Sequence, residues 1–169
     1  MSQPMSVERE AAVLIIDDHA PIREAISVCI KRSFPGISVI EAPNGATAMK
    51  YLEAHCPSLV LMDINLPDAN GLDLTRDILK QRPGTFVVVI SIDSSSDVTE
   101  RAQAVGAVQF VGKDQLFASL LPLVGAAVTL ANWTKNLESH FDITDKSLLY
   151  GGHRAANLLE TDVLRLDHD

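Results

Sequence analysis

The sequence predicts a doubly wound α/β fold: a five-stranded parallel sheet with helices on both faces. Three observations predict it. Five short apolar runs of strand length alternate with five segments of helical periodicity, a pattern that implies parallel strands joined by right-handed crossovers. The runs are apolar at nearly every position instead of every second one, as strands covered on both faces require. The breaks between elements fall on Pro, Gly, Asn and Ser, the residues that cap helices and make turns.

Taken in order, residues 1–10 are polar and are expected as a frayed leader. Ala11–Ile16 is the first strand and ends in Asp17-Asp18-His19. Pro21 suits the first turn of a helix, and Ile22, Ala25, Ile26, Cys29 and Ile30 follow at helical spacing until Pro35-Gly36. Ile37–Ile40 is the second strand, with Glu41 at its end. Asn44 can cap a second helix with the stripe Ala48, Met49, Leu52 and Tyr51, closed by Pro57. Ser58–Met62 is the third strand; it delivers Asp63 and then a loop of turn formers from Leu66 to Gly71. Leu72, Leu74, Ile78 and Leu79 mark a third helix, stopped by Pro83-Gly84. Phe86–Ile90 is the fourth strand, ending at Ser91. Ser94–Ser96 offer caps to a fourth helix reaching Ala104, which Gly106 ends, and Ala107–Val111 is the fifth strand. After Gly112-Lys113-Asp114, a fifth helix carries Leu116, Phe117, Leu120, Leu121 and Val124, and Val128, Ala131 and Leu137 can prolong its stripe.

The chain has 169 residues, enough for one well-buried domain with an appendage. A net charge of −8 disfavours a surface built to neutralise nucleic-acid phosphates. Cys29 and Cys56 sit within apolar patterns and are expected as buried free thiols. No apolar run approaches the roughly 20 residues that span a bilayer. No N-terminal stretch has the basic end, apolar run and cleavage site of a signal peptide. A cytoplasmic protein without membrane contact is the expectation. His19, His55, His140, His153 and His168 lack metal-ligand spacing and read as surface or capping residues.

In such a fold the C-terminal ends of the strands share one rim, where open α/β sheets place their chemistry. That rim would receive Asp17 and Asp18 from strand one, Asp63 from strand three, Ser91 from strand four and Lys113 just after strand five. Each has a plainer reading alone: a strand end, a turn hydroxyl, a solvated loop lysine. Together they are all placed directly after a predicted strand. Three clustered carboxylates need a cation among them, and carboxylate, carbonyl and water oxygens suit Mg²⁺. With a lysine and a hydroxyl alongside, the set describes a pocket for moving a phosphoryl group onto a carboxylate.

These residues, in this order, resemble the receiver domain of two-component response regulators, over about residues 11–125. The resemblance rests on Asp17-Asp18, on Asp63 before Ile64-Asn65-Leu66-Pro67, on Gly71-Leu72-Asp73-Leu74, on Ser91 and on Lys113. The stretch Asp18-His19-Ala20-Pro21-Ile22-Arg23 looks most like the subfamily that usually carries a helix-turn-helix output. The resemblance implies a flavodoxin-like sheet with strand order 2-1-3-4-5. It implies that Asp63 accepts a phosphoryl group from a sensor histidine kinase or phosphotransfer protein. Mg²⁺ would be held by Asp18, Asp63 and the backbone carbonyl of Asn65, with Asp17 helping through water. Lys113 would hold the phosphoryl oxygens, Ser91 would bond to them after transfer, and Phe110 would be the switch aromatic. Repacking of the face made by helix four, strand five and helix five would pass the signal to a protein effector. That face, or residues 126–169, is also where a homodimer is expected to form. The chain would then be a phosphoacceptor switch and not a turnover enzyme.

Two departures accompany the resemblance. Asp114 stands where many receivers carry proline, and Ile92 stands where a small residue commonly follows the hydroxyl. The bulk of Ile92 is expected to narrow access to Asp63 and slow hydrolysis of the acyl phosphate. Residues 126–169 form a helical C-terminal extension that reads equally as a packing helix, a dimerisation or docking segment, or the remnant of an output domain. Its basic residues from 131 onward are only Lys135, Lys146, Arg154 and Arg165, against seven acidic ones, so DNA binding by this tail is not expected. A transcription regulator with a missing or degenerate DNA-binding region is the alternative function. A Mg²⁺-dependent phosphatase is disfavoured, since Asn65 stands where such enzymes place a general acid two residues after the nucleophile.

Overall fold

The computed structural model describes residues 9–140. The expectations for the chain before and after those residues, His153 and His168 included, lie outside the described residues. Ten elements alternate strictly: β1 (Arg9–Ile16), α1 (Ala20–Ser33), β2 (Ser38–Ala42), α2 (Gly45–Ala54), β3 (Cys56–Asp63), α3 (Gly71–Gln81), β4 (Phe86–Ser91), α4 (Ser96–Ala104), β5 (Gln109–Gly112) and α5 (Leu116–His140). All four strand pairings are parallel, and the order across the sheet is β2-β1-β3-β4-β5. The fold is the doubly wound, flavodoxin-like one expected. Strand order reverses direction between β1 and β3, so a crevice opens at their carboxyl ends.

The continuous apolar character of the strands has its cause in two covered faces. Val13, Ile15, Leu59, Leu61, Val88 and Ile90 share one core with Ile26 and Ile30 of α1 and Leu116, Leu120 and Val124 of α5. Their neighbours along the strands, Leu14, Ile16, Val60, Met62 and Val87, pack with Ala48, Leu52, Leu74 and Ile78 of α2 and α3. Val89 joins Ile64, Leu72 and Ala102 in a smaller cluster under α4. Successive strand residues therefore alternate between the two layers, and every position of β3 is buried.

Several boundaries differ from the sequence reading, each for a local reason. Arg9 and Glu10 pair with Cys56 and Pro57, so they belong to β1 and not to a leader. Pro57 lies within β3 instead of closing α2; as the strand's second residue, beside an irregularity between Glu10 and Val13, its missing N–H disrupts the ladder least. β2 is displaced toward its C-terminus and takes in Glu41. β5 starts at Gln109, because Gly106 turns the chain with φ of 98° and the Ala107 N–H is spent on the Ala102 carbonyl at the end of α4. Ser95 occupies the N-cap position of α4 without a side-chain capping bond, whereas Asn44 caps α2 by accepting from the Thr47 N–H at 2.8 Å. Phe117 is 50% exposed, one position off the buried stripe of α5. That stripe continues through buried Ala127 and Ala131, so α5 crosses residue 125 unbroken. Cys56 is buried and Cys29 partly so, both as free thiols. Among the described residues no helix is long and apolar enough to cross a membrane.

Candidate functional site

The acidic rim is assembled by strand ends. Asp17 follows the last residue of β1, and its N–H still reaches across to the Ala42 carbonyl of β2 at 3.2 Å. This extra rung holds Asp17 where it is fully buried. Its Oδ1 accepts the His19 N–H at 2.8 Å, tightening the turn into α1 and leaving Asp18 exposed beside it. Asp63 is the last residue of β3, 4% exposed and in register with Ile90 of β4. The chain then makes a closed loop: the Gly71 N–H bonds back to the Ile64 carbonyl at 2.7 Å, and Asn65 bridges Asn70. A side chain at Gly71 would overlap the Asp63 backbone carbonyl, so only glycine lets α3 start this close to the acidic residue.

Lys113 arrives from β5. Its N–H donates to the Ser91 carbonyl at 2.8 Å, and its ammonium lies 2.8 Å from Asp17 Oδ2 and 3.3 Å from Asp63 Oδ2. The side chain is 11% exposed. Burial pushes the Asp63 carboxyl above its ordinary range; Lys113 pulls it back in part, and the charges of Asp17 and Asp18 push it up again. Burial acts to lower the Lys113 pKa, but the hydrogen bond to Asp17 and the charges of Asp63 and Asp17 outweigh it, so its pKa is raised and the ammonium is firmly protonated.

Carboxylate oxygens of Asp17, Asp18 and Asp63 lie within 4.8 Å of one another. One ammonium against three carboxylates leaves the cluster electron-rich, and every donor is a hard oxygen. That is the donor set a divalent cation such as Mg²⁺ takes. The residues present fit such an ion.

Ser91 is buried at the end of β4, and its hydroxyl accepts the Asp93 N–H at 3.2 Å. Asn65 lies two residues past Asp63 in the closed loop. Phe110 faces Val89 across the β4–β5 ladder and packs, half-buried, against the cluster under α4. Asp17, Asp18, Asp63 and Lys113 are thus brought together, with Ser91 tied to Lys113 through the backbone. Ile92 follows Ser91 and is 83% exposed. His19 occupies the N-cap position of α1 without a side-chain capping bond.

Two residues to which the sequence reading gave no role, Arg23 and Asp68, contact this rim. Arg23 donates to the Asp17 carbonyl at 2.7 Å and pairs with Glu41 at 3.5 Å. Asp68 accepts from the N–H groups of Gly45 and Ala46 at 2.8 Å each, which holds its carboxyl below the usual range. Arg23 was visible only as part of a family-like stretch. Asp68 was one polar residue among several in a turn.

The family model of the response regulator receiver domain matches residues 13–124. The transcriptional regulatory protein PdtaR of Mycobacterium tuberculosis is 32% identical over 118 residues, 69% of this chain and 56% of that protein. DegU of Brevibacillus brevis is 29% identical over 117 residues, 69% of this chain and 50% of that protein. A protein-glutamate methylesterase/protein-glutamine glutaminase of Oleidesulfovibrio alaskensis is 34% identical over 110 residues, 64% of this chain and 30% of that protein. The chain therefore spans about half the length of these relatives or less. Among solved structures, a CheY-like receiver domain protein from Methanospirillum hungatei superimposes with a TM-score of 0.66 at 23% identity, covering 75% of this chain and 98% of that one. A LuxR-family two-component response regulator from Aurantimonas gives 0.63 at 27% identity, covering 70% and 84%.

Proposed function

The chain belongs to the response regulator receiver family, and from that premise we propose that it accepts a phosphoryl group on Asp63 from the phosphohistidine of a sensor kinase or phosphotransfer protein. The observation that carries this reading is the placement of the Lys113 ammonium between Asp17 and Asp63, with Asp18 beside them. In the transfer an Asp63 carboxylate oxygen bonds to phosphorus as the phosphorus–nitrogen bond breaks, and the imidazole leaves with the electron pair. Asp18, Asp63 and the Asn65 carbonyl would hold Mg²⁺, with Asp17 acting through water; the ion, when bound, neutralises phosphoryl charge. Lys113 is already fixed by Asp17, so it meets the incoming phosphoryl oxygens with little reorganisation.

The same reading makes the protein a switch and not a turnover enzyme, since the acceptor is consumed in each event. The Ser91 hydroxyl, whose oxygen accepts the Asp93 N–H, turns to donate its proton to a phosphoryl oxygen. Phe110, two residues from the Ser91 partner Gly112 on the adjacent strand, then repacks against α4. The altered α4–β5–α5 face is read by a protein effector, and homodimerisation through that face or residues 126–169 belongs to the same reading, as does a cytoplasmic location. Loading the chain from a labelled phosphohistidine donor tests it. The label on this chain should be released by hydroxylamine, which cleaves acyl phosphates, and should be absent from Asp63→Asn. A hydroxylamine-resistant label would place the phosphate on a hydroxyl and overturn the assignment.

A further inference from the structure

The junction between β2 and α2 supplies no ligand to the acidic cluster, yet it touches both loops that would hold a cation there. On one side Ala42 accepts the Asp17 N–H, and Glu41 holds Arg23, which donates to the Asp17 carbonyl. On the other side the Gly45 and Ala46 N–H groups hold both oxygens of Asp68, in the loop that carries Asn65. Gly45 permits this contact: a Cβ there would meet Asp68 Oδ1 at 3.3 Å and Ala69 Cβ at 3.2 Å.

We infer that the β2–α2 junction sets the spacing of the cation site through two positioning residues, Arg23 behind Asp17-Asp18 and Asp68 behind Asn65. The inference rests on the reading of the acidic cluster as a Mg²⁺ site. Both loops are thereby referred to one corner. Arg23 fixes the backbone from which Asp17 and Asp18 project, and its side chain is only 14% exposed. Asp68 closes the second loop against the first turn of α2, where free N–H groups and the helix dipole favour a carboxylate. Residues that orient ligands without touching the ion commonly change metal affinity by about 10–100-fold.

The test is calorimetric titration of Mg²⁺ into the full chain, comparing wild type with Arg23→Met and Asp68→Asn, alongside thermal unfolding without metal. Each variant should raise the Mg²⁺ Kd by about tenfold. The two substitutions change the local charge in opposite directions. Removing the Arg23 cation alone would tighten cation binding, so weakening in both variants points to position and not to charge. Should Arg23→Met fail to fold, Arg23→Lys keeps the positive charge but loses the guanidinium's fork geometry on the Asp17 carbonyl and Glu41, and should weaken binding in the same direction. Wild-type affinity in the variants, with only the unfolding temperature lowered, would overturn the inference while leaving the Mg²⁺ site standing. So would tighter binding in Arg23→Met. A wild type that binds no Mg²⁺ would overturn both.

Discussion

Asp63 carries a charge where burial favours a neutral group, and that conflict can be measured before any phosphate is added. Its carboxyl titrates above the unfolded value of 3.8, with burial the foremost cause. A raised carboxyl pKa contributes stability that is present below the unfolded value and lost as pH rises through the folded one. Without metal, Asp63→Asn should therefore unfold at a higher temperature than wild type at pH 7, and the gap should close below about pH 4. Mg²⁺ should stabilise wild type and leave the variant unmoved. A pH-independent gap would contradict this account of the site's electrostatics. Lys113 presents a second pair of opposed effects. Lys113→Ala removes the cation that competes with Mg²⁺, so Mg²⁺ should bind more tightly, yet phosphoryl acceptance should slow on the order of 100-fold through loss of a prearranged positive partner. Titration and stopped-time labelling read the two separately. Asp17, Asp18, Asp63, Ser91 and Lys113 were legible in the sequence because each follows an apolar run. Asp68 was not, because its partners lie 22 and 23 residues away and no local spacing announces them.

At the scale of elements, hydrophobic period carried most of the information. Strands covered on both faces read as unbroken apolar runs, and α1, α2, α3 and α5 each showed a stripe, whereas α4, with only Ala102 buried, was placed by its caps and by Gly106. The misreadings came where a residue served its neighbour element. Pro57 reads as a helix stop but sits in β3, and Ala107 reads as strand but closes α4. Phe117 belonged to the predicted stripe of α5, yet it stands half in solvent while Leu120 is fully buried. The two should differ sharply on truncation. Leu120→Ala should cost about 3 kcal/mol through lost burial and the cavity left behind, whereas Phe117→Ala should cost about 1 kcal/mol or less, since half of its surface is already in water. Denaturant unfolding of both variants decides between the two positions. Equal losses would return Phe117 to the core.

Across the whole molecule, the sheet brings chemistry from distant parts of the sequence to one edge. The parallel order β2-β1-β3-β4-β5 places the ends of β1 and β3 side by side, and β4 and β5 bring Ser91 and Lys113 to the same rim. Alternation made the parallel, doubly wound sheet legible, whereas the strand order came only with the resemblance to receiver domains. The corner formed by β2 and α2 was not legible, since its contribution is backbone geometry. The central claim is that this rim makes an acyl phosphate on Asp63, and intact-mass measurement tests it most directly. After incubation with a small acyl-phosphate donor and Mg²⁺, wild type should gain about 80 Da, one phosphoryl unit on the nucleophilic carboxylate. Chelation of the metal, or Asp63→Asn, should abolish the gain. The same gain in Asp63→Asn, or none in a wild type shown to bind Mg²⁺ and offered a phosphohistidine donor as well, would contradict it.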